Sequence, residues 1–518
     1  MSGLRAVPMR ALPLALAALA ACGSDPIDRI TEDDLRADLF ALAGDDTFGR
    51  EGGTLHELAA SAWLAERARQ AGLEPAGDNG TYFQFFPLER FRVSQGSRVS
   101  LGGTELRIGH DVVPSNAVLA RVDALVGIAL DAPAEQLARM NVRDRALVVR
   151  YTGETRADGR AGTIQRFVND VQQAVQGSDP AAIVVLVPGT ETDAWARVAF
   201  RVPRGSYALD IDGTAEPRRA QPGTPMLYVR EAALPRQPAA GDRLNAWIFT
   251  ESFQYPTVNV VAKVPGRDAD LADEYVLFSA HQDHDGARYP VDGDSIWNGA
   301  DDNATTSVAL LAIGRAFAEE PGRRSALFVW HGAEERGLMG SRWFAKKPTV
   351  PNGSIVAVLN GDMIGRNHPD TAALLGALPP HRNSAELVDI ALRANEEAAG
   401  FVVDHSWDDP EHREGWYYRS DHLPYARERI PALFFSTLLH DDYHTPRDNP
   451  DRIDIAKLTR MTRWMYATGR AVAEADAPPA LDPDFELERC RDYTGNYCPP
   501  GEGGRGGSGG SGGRGGRG

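Results

Sequence analysis

A chain of 518 residues, 42% of them hydrophobic, is too long for one compact core and can bury a large interior in two or more folding units. Its 72 acidic against 55 basic residues leave a net charge of −17, which excludes nucleic acid as the main partner because phosphates would be repelled. Most of that acid is read as solvated surface.

Arg5 and Arg10 precede an apolar stretch over 11–21, too short to span a bilayer and suited to an export signal. It ends Leu19-Ala20-Ala21-Cys22, which resembles the bacterial lipobox. The resemblance implies cleavage before Cys22, acylation there, and an exported protein of the bacterial cell envelope, periplasmic or at the cell surface. Its only membrane contact would then be the lipidated Cys22. The alternative is an ordinary signal peptide with an incidental cysteine. With Cys22 acylated, Cys490 and Cys498 remain as an even pair, suited to a disulfide in an oxidising compartment. That small loop would contribute about 2 to 3 kcal/mol.

Beyond the signal (1–22), residues 31–44 and 55–72 read as helices stopped by glycine. From about 101 to 243 the texture changes to short β-rich runs (VDALVGIAL, RALVVRY, AAIVVLV, TPMLYVR) with one candidate helix over 164–175, the look of a separate insert. From 257 to 475 strands and helices alternate, which predicts an α/β layer fold with a mixed, largely parallel central sheet flanked by helices. The candidate strands are VNVVAKV, YVLFSAH, ALFVWHG, IVAVLNG and PALFFST; the last helix carries a core stripe of Leu458, Met461, Met465 and Val472. This divides the chain into a discontinuous domain over 27–100 and 251–475, a β-rich insert over 101–250, and a tail over 476–518. The Gly, Arg and Ser end of that tail has no apolar anchors and is predicted to be disordered; RNA binding by its Arg-Gly repeats sits badly with export.

The strands of the second half end in side chains that bind metals. His281 and Asp283 follow YVLFSA, Glu334 and Glu335 follow ALFVWHGA, Asp362 follows IVAVLNG, and Asp302 and His444 lie in NGADDN and DDYHTP. Loops at the carboxyl edge of an open α/β sheet converge, so these groups meet if the strands lie side by side. Imidazole and carboxylate donors without cysteine suit catalytic zinc, and two ions sharing one carboxylate can hold a hydroxide between them.

Taken jointly, SAHQDHDG, GDSIWNGADDN, GAEERGLMGS, LNGDMIG, SDHLPYARERIPALFF and DDYHTPRDN resemble the di-zinc exopeptidase family of aminopeptidase Y and bacterial leucyl aminopeptidases. The likeness covers 257–454 and the GR and GL pattern before Phe83. The β-rich insert looks like the protease-associated (PA) domain of many members. The resemblance implies two zinc ions per chain, His281 and Asp362 on one, Glu335 and His444 on the other, and Asp302 between them. It also implies a cis peptide bond after Asp302. Ala304-Thr305-Thr306 departs from the commoner Ala-Ser-Gly and puts the start of the next helix in question.

Asp283, two residues past His281 on an extended strand, would accept the imidazole's other N–H. His284, at odd spacing, is sent to the opposite face and reads as a surface or loop histidine. Glu334 is the candidate general base. Tyr443 resembles the tyrosine that some members aim at the oxyanion; the alternative is a packed aromatic. Ser420-Asp421-His422 reads as a support of the pocket rather than a triad. His331, His440 and Asp442 have a wall or surface role, and His56, His368, His405 and His412 are expected to face solvent. The function implied is an exported zinc aminopeptidase acting on peptides. The alternatives are a carboxypeptidase or glutaminyl cyclase on the same fold, or a non-catalytic binding protein, which would be expected to have lost Glu334 or a ligand.

Overall fold

The computed structural model describes residues 25–114, 119–132, 134–153, 164–199, 201–213 and 223–487. The export signal with Cys22, the pair Cys490 and Cys498 and the glycine-rich end lie outside the described residues.

Two helices open the fold. α1 (Glu32–Leu42) is capped by Thr31, whose hydroxyl accepts from the Asp34 amide, and its first turn is acidic, which suits the positive end of the helix dipole. α2 (Leu55–Gln70) is capped by Thr54. Strand β1 (Phe83–Val93) follows, and the chain then leaves to build a second sheet of eight strands lying between Arg98 and Ile248. It returns in β2 (Thr250–Val264), which pairs antiparallel with all of β1, from Thr250 opposite Val93 to Val260 opposite Phe83.

The rest of the chain alternates as the sequence predicts: β3 (Tyr275–His281), α3 (Thr305–Glu319), β4 (Ser325–His331), α4 (Met339–Lys346), β5 (Ile355–Gly361), β6 (Thr371–Leu375), α5 (Ala385–Ala398), α6 (His422–Arg427), β7 (Ala432–Ser436) and α7 (Ile455–Glu474). In the first sheet the order runs β6, β7, β5, β3, β4, β2, β1. The four central strands β4, β3, β5 and β7 pair parallel; β2 and β1 on one flank and β6 on the other join them antiparallel, and the short edge strand Val402–Val403 pairs parallel with β6. The four parallel strands therefore end at one edge, with His281 level with His331 and Gly361 level with Phe435. One short strand of the inserted segment, Ser206–Ala208, joins the first sheet beside β1 rather than the second, a departure from the expected division at 101–250.

The central strands are apolar on both faces because helices cover both, as parallel sheets require. Phe278, Phe328, Trp330 and Leu359 pack with Val308, Leu311, Phe317, Met461 and Met465 on one side. Leu277, Leu327, Val329 and Val358 face Phe344 and Tyr425 on the other. α7 approaches the sheet closely at Gly469, where an added Cβ would stand 2.1 Å from Phe278 Cζ and 3.1 Å from Leu359 Cδ1. Replacing a mid-helix glycine by alanine ordinarily gains about 1 kcal/mol. Here overpacking, which costs about 1 to 3 kcal/mol, is expected to win. Gly469→Ala should therefore lower the denaturant midpoint of unfolding, and a raised midpoint would contradict this close approach.

Candidate metal centre

Two groups of donor atoms meet above the edge where the parallel strands end. In the first, His281 Nε2 lies 3.2 Å from Asp302 Oδ1 and 3.5 Å from Asp362 Oδ1. In the second, His444 Nε2 lies 3.0 Å from Asp302 Oδ2 and 3.2 Å from Glu335 Oε1. Asp302 thus turns one oxygen to each group. His284 joins the second group, its Nδ1 2.8 Å from Glu335 Oε1. Glu334 Oε2 stands 3.9 Å from His281 Nε2, on the side of the first group.

These atoms are arranged for cations rather than for one another. His281 Nδ1 lies 3.0 Å from the Asp283 carbonyl, which can only accept, so the neutral ring carries its proton on Nδ1 and its lone pair on Nε2. Asp362 Oδ2 is occupied by the Ser420 hydroxyl at 2.8 Å, leaving Oδ1 for the centre. Among the described residues, His281 Nε2, Asp362 Oδ1, Glu335 Oε1 and both nitrogens of His284 are buried without a hydrogen-bond partner. Buried orphans of this kind are rare in native proteins and call for an explanation such as an ion. Lone pairs converging at these spacings fit a pair of divalent metals with N and O preference.

The loops that present the donors adopt unusual backbone conformations. Ala333, Met363 and His444 have φ of 53, 58 and 49°, the left-handed region that non-glycine residues seldom enter. The Asp302–Asn303 peptide is cis. Three consecutive amides leading to Glu334 are held by side-chain acceptors: Gly332 N by Asn259 Oδ1 at 3.1 Å, Ala333 N by Glu57 Oε1 at 3.1 Å, and Glu334 N by Asp283 Oδ1 at 2.8 Å. Arg50, fully buried, donates to the carbonyls of Leu42, Gln282, Asn298 and Gly299 at 2.8 to 3.0 Å, tying the loop after His281 to the loop before Asp302. From the inserted segment, Arg204 donates to the Glu335 carbonyl at 2.9 Å and pairs with Asp285 at 2.9 Å.

Charge crowding shapes the titration of the centre. Burial pushes the Glu334 carboxyl well above the usual range, and Glu335, Asp421 and Asp362 add to this against the pull of His281. For Glu335, burial is outweighed by His444 and His284, which hold it well below. Burial would depress His444, but Glu335 and Asp302 raise it to about 9.

Comparison with known proteins agrees with this geometry. The model of Peptidase family M28 matches residues 259–469, the stretch that supplies every donor of both groups. Residues 259–469 thus resemble an M28 peptidase domain. A probable leucine aminopeptidase of Arthroderma otae is 27% identical over 187 residues, 35% of this chain and 46% of that protein. The chain spans about half the length of the first curated relatives it matches. Among solved structures, an aminopeptidase from Aneurinibacillus sp. strain AM-1 has a TM-score of 0.51 at 14% identity, covering 89% of this chain and 98% of that one. A zinc aminopeptidase from Bacillus subtilis has a TM-score of 0.54 at 14% identity, covering 86% and 97%. Both share the fold.

Within the matched stretch, the structure places His281, Asp302, Glu334, Glu335, Asp362 and His444 together. Asp283 is adjacent but acts differently from the expectation: its carbonyl, not its carboxylate, meets the His281 ring, and the carboxylate, 3.9 Å from Nδ1, holds the Glu334 amide. His284 is not a surface residue. β3 ends at His281, so the alternation of an extended strand no longer applies, and the ring turns into the centre with no exposed surface. Tyr443 stacks on the His444 ring at 3.9 Å, and its hydroxyl accepts from Arg419 at 2.9 Å. Ser420 holds Asp362, while the buried His422 ring stacks on Phe434, so the trio forms no hydrogen-bonded triad. His331 lies 3.2 Å from the Tyr425 hydroxyl and His440 lies 3.3 Å from Asp301; His56 and His368 are exposed, whereas His405 and His412 are half-buried. Thr305 opens α3 with its hydroxyl on the Asp301 carbonyl at 2.8 Å, so the departure at 304–306 leaves the helix start intact.

Arg50, Glu57, Asn259 and Arg204 escaped the sequence reading. Thr54-Leu55-His56-Glu57 has the spacing of a helix capping box, which hides the second use of Glu57. Losing Arg50 would remove its hydrogen bonds from four buried carbonyls. Breaking a buried charged network of this kind typically costs about 3 to 5 kcal/mol, and Arg50→Leu is expected to show that loss in equilibrium unfolding. Arg50→Lys should rescue only part of it, because one ammonium cannot reproduce the guanidinium fork.

Proposed function

We propose that this protein is a two-zinc aminopeptidase that releases N-terminal residues from peptides. One observation carries the reading: Asp302 divides its two oxygens between His281 and His444 while Glu334 stands beside the first group. His281, Asp362 and Asp302 Oδ1 would hold one ion, and Glu335, His444 and Asp302 Oδ2 the other. Bound zinc would supply Lewis acidity toward the scissile carbonyl and lower the pKa of water.

The chain's own residues then divide the work. Glu334 accepts the proton of the attacking water at its carboxylate and returns it to the leaving amine. Asp283, Glu57 and Asn259 fix the main chain that carries Glu334, so the base is positioned before substrate arrives. Burial pushes the Tyr443 phenol well above its ordinary range, so it keeps its proton. Because its oxygen already accepts from Arg419, that proton is left to donate to the oxygen that gains charge. The names of the relatives favour the free amino terminus as the recognised end.

Glu334→Gln is expected to reduce kcat by roughly 10²- to 10⁴-fold, while elemental analysis still finds two divalent ions per chain. Loss of metal in that variant would make Glu334 a ligand rather than a base. Aminoacyl chromogenic substrates should be cleaved and their N-acetylated forms spared; cleavage of the blocked forms would reject the aminopeptidase assignment. We also read the lipobox as a working anchor, so Cys22→Ala should shift the protein from the membrane fraction to the soluble one.

A further inference from the structure

We infer that His284 is a fourth protein donor to the second metal position, which makes the two halves of the centre unequal. The inference rests on the two-metal reading above and extends it to a residue outside that ligand set.

The His284 ring is fully buried and turned to the second group: Nδ1 is 2.8 Å from Glu335 Oε1 and 3.9 Å from Asp302 Oδ2. It meets the His444 ring edge-on at 77° with centroids 5.4 Å apart. The Glu335 contact is short, yet both atoms are buried without a hydrogen-bond partner. Donors sharing one tetrahedral zinc at about 2.0 to 2.1 Å sit roughly 3.3 to 3.4 Å from one another. His284 Nδ1, Glu335 Oε1, His444 Nε2 and Asp302 Oδ2 have contacts of 2.8 to 3.9 Å that bracket this spacing.

The backbone is shaped to admit the ring. The His284 amide donates to the Arg50 carbonyl at 3.3 Å, and Gly299 passes so close that an added Cβ would stand 2.3 Å from His284 Cγ. Gly299 also has a φ of 57°, so a side chain there is opposed twice. The second position is thereby closed by four protein donors, the coordination typical of a structural zinc. The first, with His281, Asp362 and Asp302 Oδ1, has three and keeps an open place. Glu334 borders the three-donor position.

Metal-free protein titrated with Co(II), followed by visible absorption, tests this without any turnover measurement. The wild type should show two binding events, the tighter at the four-donor position. His284→Ala should weaken the tighter event at least about 10-fold and alter its d–d bands, and His284→Gln should not restore them. Asp362→Asn should weaken the other event instead. Wild-type events in His284→Ala, or full restoration by His284→Gln, would overturn the inference by reducing His284 to a hydrogen-bond partner of Glu335. If His284→Ala fails to fold, the comparison of His284→Gln with the wild type decides. Fewer than two ions bound by the wild type would sink the two-metal reading itself, a failure visible before any variant is made.

Discussion

Asp302 is the residue on which the site turns. Among the described residues its carboxylate is the one that lies within 4 Å of both His281 and His444, and around it are packed Glu334, Glu335 and Asp362 with little exposed surface. Carboxylates so crowded and dry repel one another, and a fold accepts that cost when opposite charge is supplied at the same place. Part of it comes from the histidines. The unsatisfied atoms that face inward mark where the rest is meant to enter.

Much of this was legible because the chemistry lies at strand ends. An apolar run of six or seven residues announces a buried strand, and the polar residue that follows it must emerge at the sheet's edge. YVLFSAH, ALFVWHG and IVAVLNG therefore gave both the central strands and the donors they carry. Two errors arose where local periodicity was extended past the strand. His284 and the Asp283 carboxylate were assigned directions by alternation, but β3 stops at His281 and the turn reverses them.

What the sequence could not announce is the machinery that holds loops rather than metals. Glu57 and Asn259 reach main-chain amides 276 and 73 residues away, and Arg50 gathers carbonyls from three separate turns. Such contacts leave no spacing pattern, because the partner is backbone that every residue possesses. For Glu57 and Asn259, the effect is to make the unfavourable φ angle at Ala333 the resting state of the loop that carries Glu334 and Glu335.

The seam between the two sheets has an evolutionary and practical corollary. Ser206–Ala208 is stitched onto the edge of the first sheet, and Arg204, just before it, braces the main chain of Glu335. A shortened chain in which β1 ran directly into β2 would forfeit that brace along with the inserted segment. The inserted segment thus contributes a contact to the loop that carries Glu334 and Glu335, and grafting it between homologues would require the Arg204 and Asp285 partners to travel together.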